Sequence, residues 1–156
     1  MRRMLLVAAT SMVATGLAAT AAVARGTGSE AHGVVVSTRA LPKLGTVLVD
    51  AKGRTLYMFV PDRRKKVTCV GSCAAVWPPL KVPAGAKPVA KGKVKAMLLG
   101  SDRDPAGGRV VTYAGWPLYT YVTDTKPGEA TGQAIKLNGG YWYVLSATGT
   151  VIKKKP

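Results

Sequence analysis

Two ten-residue stretches of the chain share one order of glycine, apolar and aromatic positions. Residues 53–62 read GRTLYMFVPD and residues 115–124 read GWPLYTYVTD, an offset of 62 residues. Alternate residues of a β-strand point to the same face of a sheet, so each stretch places two aromatic rings on one face. The opposite face carries mostly aliphatic side chains. Because both faces are largely apolar, the pattern predicts two central strands that are covered on both sides.

A hairpin is predicted around the start of each stretch, and a tryptophan segment follows it. The turns fall at 50–53 and 114–115, where glycine interrupts β-prone runs. The tryptophan segments at 76–80 and 141–145 are 65 residues apart, so the second excursion is three residues longer. One unit of about 35 residues buries too little surface to fold alone, whereas two units can share a core.

We therefore predict a mainly β fold, a single small domain built from two pseudo-symmetric hairpin-containing repeats. The predicted parts are a signal peptide at 1–24, a flexible leader at 25–40 with a first strand at 34–36, a two-repeat β domain at 41–152 and a basic tail at 153–156. Within the domain, the first repeat spans about 44–80, a linker spans 81–93, and the second repeat spans about 108–145.

The first 24 residues have the three-part order of a secretory signal peptide. Met1-Arg2-Arg3 is positive, residues 4–13 are apolar, and Ala22-Val23-Ala24 supplies a small-residue cleavage site. Threonine, serine and glycine make the stretch too short and too polar for a membrane-spanning helix. The sequence thus predicts export, and no cysteine lies near the cleavage site for lipid attachment.

The predicted mature chain is strongly basic. Removing Arg2 and Arg3 from the 23 basic residues leaves 21 against 7 acidic residues, a net charge of +14. Such a charge attracts anionic partners, here anionic cell-wall polymers or a membrane surface, or it serves only to keep the protein soluble. The composition predicts no specific recognition of nucleic acid, and it sets no oligomeric state.

The repeated residues resemble the secreted repeat family of unknown function, also described as predicted lipoproteins with a conserved Yx(F/W/Y)xxD motif. The residues that match the motif are Tyr57, Phe59, Asp62, Tyr119, Tyr121 and Asp124. The segments CVGSCAAVWPPL, VTYAGWPLY and GGYWYVL are similar as well, so the resemblance spans roughly residues 41–147. It implies export, two repeats, an envelope or extracellular location and no established activity. This chain is lipoprotein-like in its repeats but lacks the lipid-attachment cysteine of many members.

Cys69 and Cys73 are the only cysteines. An even count in an exported chain indicates a disulfide. Residues four apart on a regular helix have Cβ atoms about 5–6 Å apart, whereas a disulfide needs about 3.8 Å, so the bond requires a tight turn such as Gly71 allows. The alternative is a thiol site for copper or redox exchange, which needs soft partners. No spacing in the chain demands such a metal site.

Asp62 and Asp124 end the two matched stretches. The simpler hypothesis is that each accepts backbone N–H bonds in the turn that follows it. The alternative is that the two carboxylates act as acid and base in a hydrolase. Because His32 is the only histidine, Ser-His-Asp catalysis has almost no material in this chain.

We expect an exported envelope or extracellular binding protein that is non-catalytic and needs no cofactor or metal. Trp116 is the candidate ligand contact, because an exposed indole in a hairpin turn can stack on a sugar or another flat ligand. The alternatives are a redox or metal-handling protein that uses Cys69 and Cys73 and, less favoured, a hydrolase that uses Asp62 and Asp124.

Overall fold

The computed structural model describes residues 33–63 and 66–156. The predicted signal peptide, the first part of the predicted leader and His32 lie outside the described residues. Within these two ranges, no helix is long and apolar enough to cross a membrane.

Short strands make up most of the regular structure. The strands are β1 (Val34–Leu41), β2 (Gly45–Asp50), β3 (Tyr57–Phe59), β4 (Lys81–Val82), β5 (Pro88–Ala90), β6 (Leu99–Arg103), β7 (Arg109–Tyr113), β8 (Trp116–Pro117), β9 (Lys136–Leu137), β10 (Gly140–Leu145) and β11 (Val151–Ile152). The helix α1 spans Ser72–Val76, and 3₁₀ turns span Val60–Asp62 and Ala96–Leu98.

These strands form three small sheets that single bridges join. The strand orders are β2-β1-β5, then β11-β10-β3 with β9 also paired to β10, then β4-β7-β6 with β8 also paired to β7. Only the pairing of β1 with β5 is parallel among these strands. A bridge between Val47 and Ser146 ties the first sheet to the second. The prediction of a mainly β, single-domain fold is confirmed.

The two predicted hairpin turns form where small residues adopt left-handed backbone. Ala114 and Gly115, with φ of 49° and 82°, connect β7 to β8. Positive φ at both central residues is typical of a two-residue type I′ turn, which matches the twist of the flanking strands. In the first repeat, Gly53 has a φ of 78° and donates its N–H to the Asp50 carbonyl at 3.0 Å.

Each repeat pairs its aromatic strand with the tryptophan segment of the other repeat. In the first repeat, β3 lies antiparallel to β10, which contains the second tryptophan segment. In the second repeat, residues 118–122 run antiparallel to residues 76–80 through three backbone hydrogen bonds of 2.8, 2.9 and 3.2 Å. At the centre, Tyr57 and Tyr119 exchange backbone hydrogen bonds of 2.8 and 2.9 Å. The two-repeat architecture is thus a reciprocal exchange rather than two side-by-side units.

The central strands are covered on both faces. One core cluster contains the aromatic faces and the other contains the aliphatic faces. The first comprises Leu41, Leu44, Val47, Tyr57, Phe59, Cys69, Trp77, Tyr119, Trp142 and Val144. The second comprises Val36, Leu48, Leu56, Met58, Val94, Val111, Tyr113, Leu118 and Leu145. The apolar alternation ends at Val60 and Val122, which are exposed, because each chain turns away from the sheet there.

Ordered structure begins earlier than the predicted leader allowed. β1 covers Val34–Leu41 instead of 34–36, and it pairs with β2 over six residues and with β5 over three. The expectation of a flexible leader is therefore wrong for the end of the 25–40 segment, because neighbouring strands on both sides satisfy its backbone groups. The predicted linker at 81–93 also contributes structure, since it contains β4 and β5.

Candidate functional site

The two Yx(F/W/Y)xxD motifs meet in two reciprocal hydrogen bonds. The Tyr57 hydroxyl donates to Asp124 Oδ2 at 2.5 Å, and the Tyr119 hydroxyl donates to Asp62 Oδ2 at 2.5 Å. All four side chains are buried. We call these contacts the Tyr57–Asp124 clamp and the Tyr119–Asp62 clamp. Because each clamp joins a tyrosine of one repeat to a carboxylate of the other, a single repeat cannot form one.

A threonine binds the second oxygen of each carboxylate. Asp62 Oδ1 accepts the backbone N–H of Thr68 at 2.7 Å and its hydroxyl at 2.6 Å. Asp124 Oδ1 accepts the backbone N–H of Thr131 at 3.0 Å and its hydroxyl at 2.5 Å. Each carboxylate therefore closes the loop that follows it and, in addition, receives the tyrosine of the other repeat.

Burial determines the protonation of these groups. It raises the pKa of Asp62 above the ordinary value of 3.8, although hydrogen bonds from Thr68 and Tyr119 offset part of that shift. Burial also raises the pKa of Tyr57 and of Tyr119 far above the usual range, and the facing carboxylate adds to the effect. The two phenols therefore remain protonated and act as hydrogen-bond donors.

The clamps do not provide acid or base chemistry. Asp62 and Asp124 are 0% and 3% exposed, and both oxygens of each carboxylate already accept hydrogen bonds from the protein. A general acid or base must reach the proton that it transfers. The arrangement thus gives no support to the hydrolase hypothesis, and it accounts for the aspartates as parts of the fold.

Four aromatic rings stack in a single column between the clamps. Their order is Phe59, Trp142, Trp77 and Tyr121, so the column alternates between the two repeats. Successive ring centroids are 4.1, 3.8 and 4.1 Å apart, with interplanar angles of 16°, 3° and 17°. Each clamp tyrosine contacts the edge of one tryptophan at 5.3 Å. Stacked and edge-on aromatic pairs add to the hydrophobic gain of burial, so this column is the shared core of the repeats.

Cys69 and Cys73 form a disulfide with a Cα–Cα distance of 5.2 Å, which confirms the predicted bond. Gly71, with a φ of 58°, makes the tight turn between them. Cys69 directly follows Thr68, so the bond constrains the loop that holds Asp62. In the second repeat Gly132 occupies the equivalent place after Thr131, and its N–H donates to the Tyr57 hydroxyl at 3.3 Å.

The remaining candidates lie apart from the clamps. Trp116 is half-buried in β8 and packs against the second core cluster, so only part of the indole is accessible to a ligand. In the part of the chain that the structure describes, no group of three or more His, Cys, Asp or Glu side chains is placed to hold a metal ion.

Sequence reasoning missed Thr68, Thr131 and Gln133. The two threonines are 63 residues apart, between the offsets of 62 and 65 that align the flanking motifs, so a continued alignment of the repeats would have found them. Gln133 accepts the Val144 N–H at 2.8 Å and donates to the carbonyls of Ile152 and Lys154 at 2.6 and 2.8 Å. No counterpart in the first repeat signals this role.

The fold and the clamps define a β domain whose two repeats complete each other. A family model described as "secreted repeat of unknown function" matches residues 38–81 and 101–146. These two matches cover more than half of the chain, and each contains one tyrosine, aspartate and tryptophan set. The chain belongs to this family, and it is accordingly an exported protein. Neither the curated proteins nor the solved structures include a significant match.

Proposed function

We propose that this exported chain is a non-catalytic binding protein of the envelope or extracellular space, and that its partners are anionic polymers. The distribution of charge supports the proposal. The described residues include 18 lysines and arginines but only six aspartates and glutamates. Four of those six carboxylates are buried: Asp50, Asp62, Asp104 and Asp124. The accessible surface is therefore cationic with few acidic groups to balance it.

The buried carboxylates are also neutralised or bound within the protein. Arg54 pairs with Asp50 at 2.7 Å, and Lys81 pairs with Asp104. The two clamps hold the other two carboxylates. Because these are the two ion pairs among the described residues, most lysine and arginine head groups can attract external anions.

The redox alternative has less support than binding. Cys69 is only 1% exposed, and its bond to Cys73 constrains the loop of the Tyr119–Asp62 clamp. A structural task therefore explains the disulfide without exchange chemistry. Access to the attacked sulfur is one of the factors that control thiol–disulfide exchange.

Retention on immobilised polymers tests the proposal. The mature protein should bind polyphosphate beads but not neutral dextran beads at low salt. Exposed charges are largely screened at about 0.5 M salt, so retention that persists there indicates a specific site rather than diffuse attraction. Equal retention on both polymers, or none on polyphosphate, overturns the proposed function.

Two further variants define the contacts. Replacing Lys153, Lys154 and Lys155 by glutamine removes the tail charge yet keeps the Lys154 carbonyl that Gln133 binds, which truncation would not. We expect this variant to lose low-salt retention only in part. Trp116→Phe tests the aromatic contact, and reduced retention on a sugar polymer would support it.

A further inference from the structure

A cationic groove opens beside the first sheet, on the side of β1 that β5 leaves uncovered. β5 pairs with β1 only as far as Val36, whereas β1 continues to Leu41. The groove encloses about 610 Å³. The residues that line it are Val35, Ser37, Thr38, Arg39, Val49, Asp50, Ala51, Lys52, Gly53 and Lys91. Three separate segments thus contribute a basic side chain.

The positive charge of the groove is not balanced from within. Arg39, Lys52 and Lys91 are exposed, and neither ion pair of the described residues includes them. Asp50 is the single acidic residue in the lining, but it is 5% exposed and its carboxylate is bound by Arg54. The groove therefore presents three cationic head groups to a ligand.

Arg39 is positioned by two glycines. A Cβ atom on Gly53 would lie 3.1 Å from Arg39 Nη2, and one on Gly128 would lie 3.8 Å from Arg39 Cδ. The guanidinium and its stem thus use space that side chains at these positions would occupy. A guanidinium held in place loses less conformational freedom on binding an oxyanion, and its planar fork suits bidentate contact.

We propose that this groove is the site at which the protein binds phosphate groups of an anionic polymer chain. The proposal rests on the proposed function and specifies its site. Donors from three segments surround a concavity, and the Ser37 and Thr38 hydroxyls add neutral donors. A tetrahedral phosphate accepts hydrogen bonds from several directions, whereas a carboxylate accepts them at two coplanar oxygens.

The lining also favours a polymer over other anionic partners. It contains no aromatic side chain, so it offers no ring on which a nucleic acid base can stack. Its concave shape admits a strand of polymer, whereas a planar membrane surface contacts convex or flat regions. The phosphate group itself is the feature that this groove can recognise.

The test compares two triple variants with equal change in charge. Arg39, Lys52 and Lys91 are replaced by glutamine in the groove variant, and the exposed Lys95, Lys126 and Lys136 in the control. One charge-assisted hydrogen bond corresponds to about a tenfold change in affinity. We expect the groove variant to bind soluble polyphosphate at least about tenfold more weakly than wild type, and the control about threefold or less. Both variants should unfold at the wild-type denaturant concentration.

The outcomes separate this site from the general function. If both variants weaken binding equally, the binding is diffuse, and the groove is overturned while the proposed function stands. If wild type binds no polyanion, the proposed function itself fails. Polyglutamate, single-stranded oligonucleotides and anionic phospholipid vesicles serve as further probes. Groove-dependent binding of any of them as tight as that of polyphosphate overturns recognition of a phosphate polymer.

Discussion

The two clamps solve the same structural problem with different loops. In both, a buried tyrosine donates to an aspartate of the other repeat at 2.5 Å, and a threonine holds the remaining oxygen. Asp62 is followed by Trp77 after 15 residues, whereas Asp124 is followed by Trp142 after 18 residues. The shorter loop is cross-linked by the disulfide. The longer loop is held by hydrogen bonds, and Gln133 alone makes three of them.

The same difference is visible at the two stacked tryptophans. Trp142 Nε1 donates to the Leu137 carbonyl at 3.1 Å, a residue within the longer loop. Trp77 Nε1 is buried and has no hydrogen-bond partner among the described residues. An unsatisfied buried N–H costs free energy. The cross-linked loop is thus short enough to need no hydrogen-bonded insertion, but it leaves the indole of its own repeat unsatisfied.

The largest expected effect is the loss of the aspartate that no disulfide supports. Asp124→Ala leaves the Tyr57 hydroxyl and both donors of Thr131 without an acceptor in a buried site. We expect this change to lower the free energy of unfolding by about 3–5 kcal/mol. Asp62→Ala should cost about 1 kcal/mol less, because the disulfide still holds its loop and a buried charge is removed. Urea denaturation measures both values.

Asp102→Ala is the matched control for these two changes. Asp102 is half-buried on β6, and its Oδ1 accepts only the N–H of the next residue. We expect a change within about 1 kcal/mol. A larger loss for Asp62→Ala than for Asp124→Ala would contradict the idea that the disulfide supports the first clamp.

The second expected effect is steric and concerns Gly132, the counterpart of Cys69. A Cβ atom there would lie 2.6 Å from Trp77 Cη2 and 3.1 Å from Tyr121 Cδ1, so the column of stacked rings must shift. Gly132→Ala should cost about 1–3 kcal/mol, the usual range for overpacking a core. In Gly100→Ala, by contrast, the new methyl group would meet only Thr112 Oγ1 at 3.1 Å. Comparable losses of stability in the two variants would show that the column is not rigid.

These differences between the loops mark the limit of what the sequence could predict. The alternation of aromatic and aliphatic residues in 53–62 and 115–124 predicted the central strands, because burial on both faces requires that pattern. Even the disulfide followed from the cysteine count and export. The exchange of partners did not follow, because spacing along a chain does not say which repeat supplies each neighbour. Asp62 and Asp124 therefore gave turn contacts or an acid–base pair as hypotheses, but not a tyrosine from the other repeat.

The cationic groove was beyond sequence reasoning for a similar reason. Arg39, Lys52 and Lys91 are spread over 53 positions among many other basic residues. Only the pairing of β1 with β2 and β5 brings them to one concavity. Arg39 also lay in the segment expected to be a leader, so its fixed position had no sequence signal.

A third, smaller effect concerns the cross-link itself. The chain-entropy relation gives about 2 kcal/mol for so short a ring, and this is an upper value where the loop is already ordered. Replacing both Cys69 and Cys73 by alanine should therefore cost about 2 kcal/mol or less. Hydrogen exchange should become faster in residues 66–73 and stay unchanged in residues 125–133. Protein isolated without reductant should show no free thiol, and two titratable thiols would instead favour the metal-binding hypothesis.

The smallest expected effect is a pH dependence that belongs to one clamp. Burial raises the pKa of Asp62 above 3.8, so the folded protein holds this proton more tightly than the unfolded chain does. The resulting stabilisation is fully present below the unfolded pKa and is lost as the pH rises through the folded pKa. Asp62→Asn cannot titrate at this position. The stability of wild type relative to Asp62→Asn should therefore decrease as the pH rises from about 3 to about 6, as measured by urea denaturation. A difference that increases with pH would mean that the hydrogen bonds from Thr68 and Tyr119 outweigh burial and that Asp62 is a stabilised carboxylate.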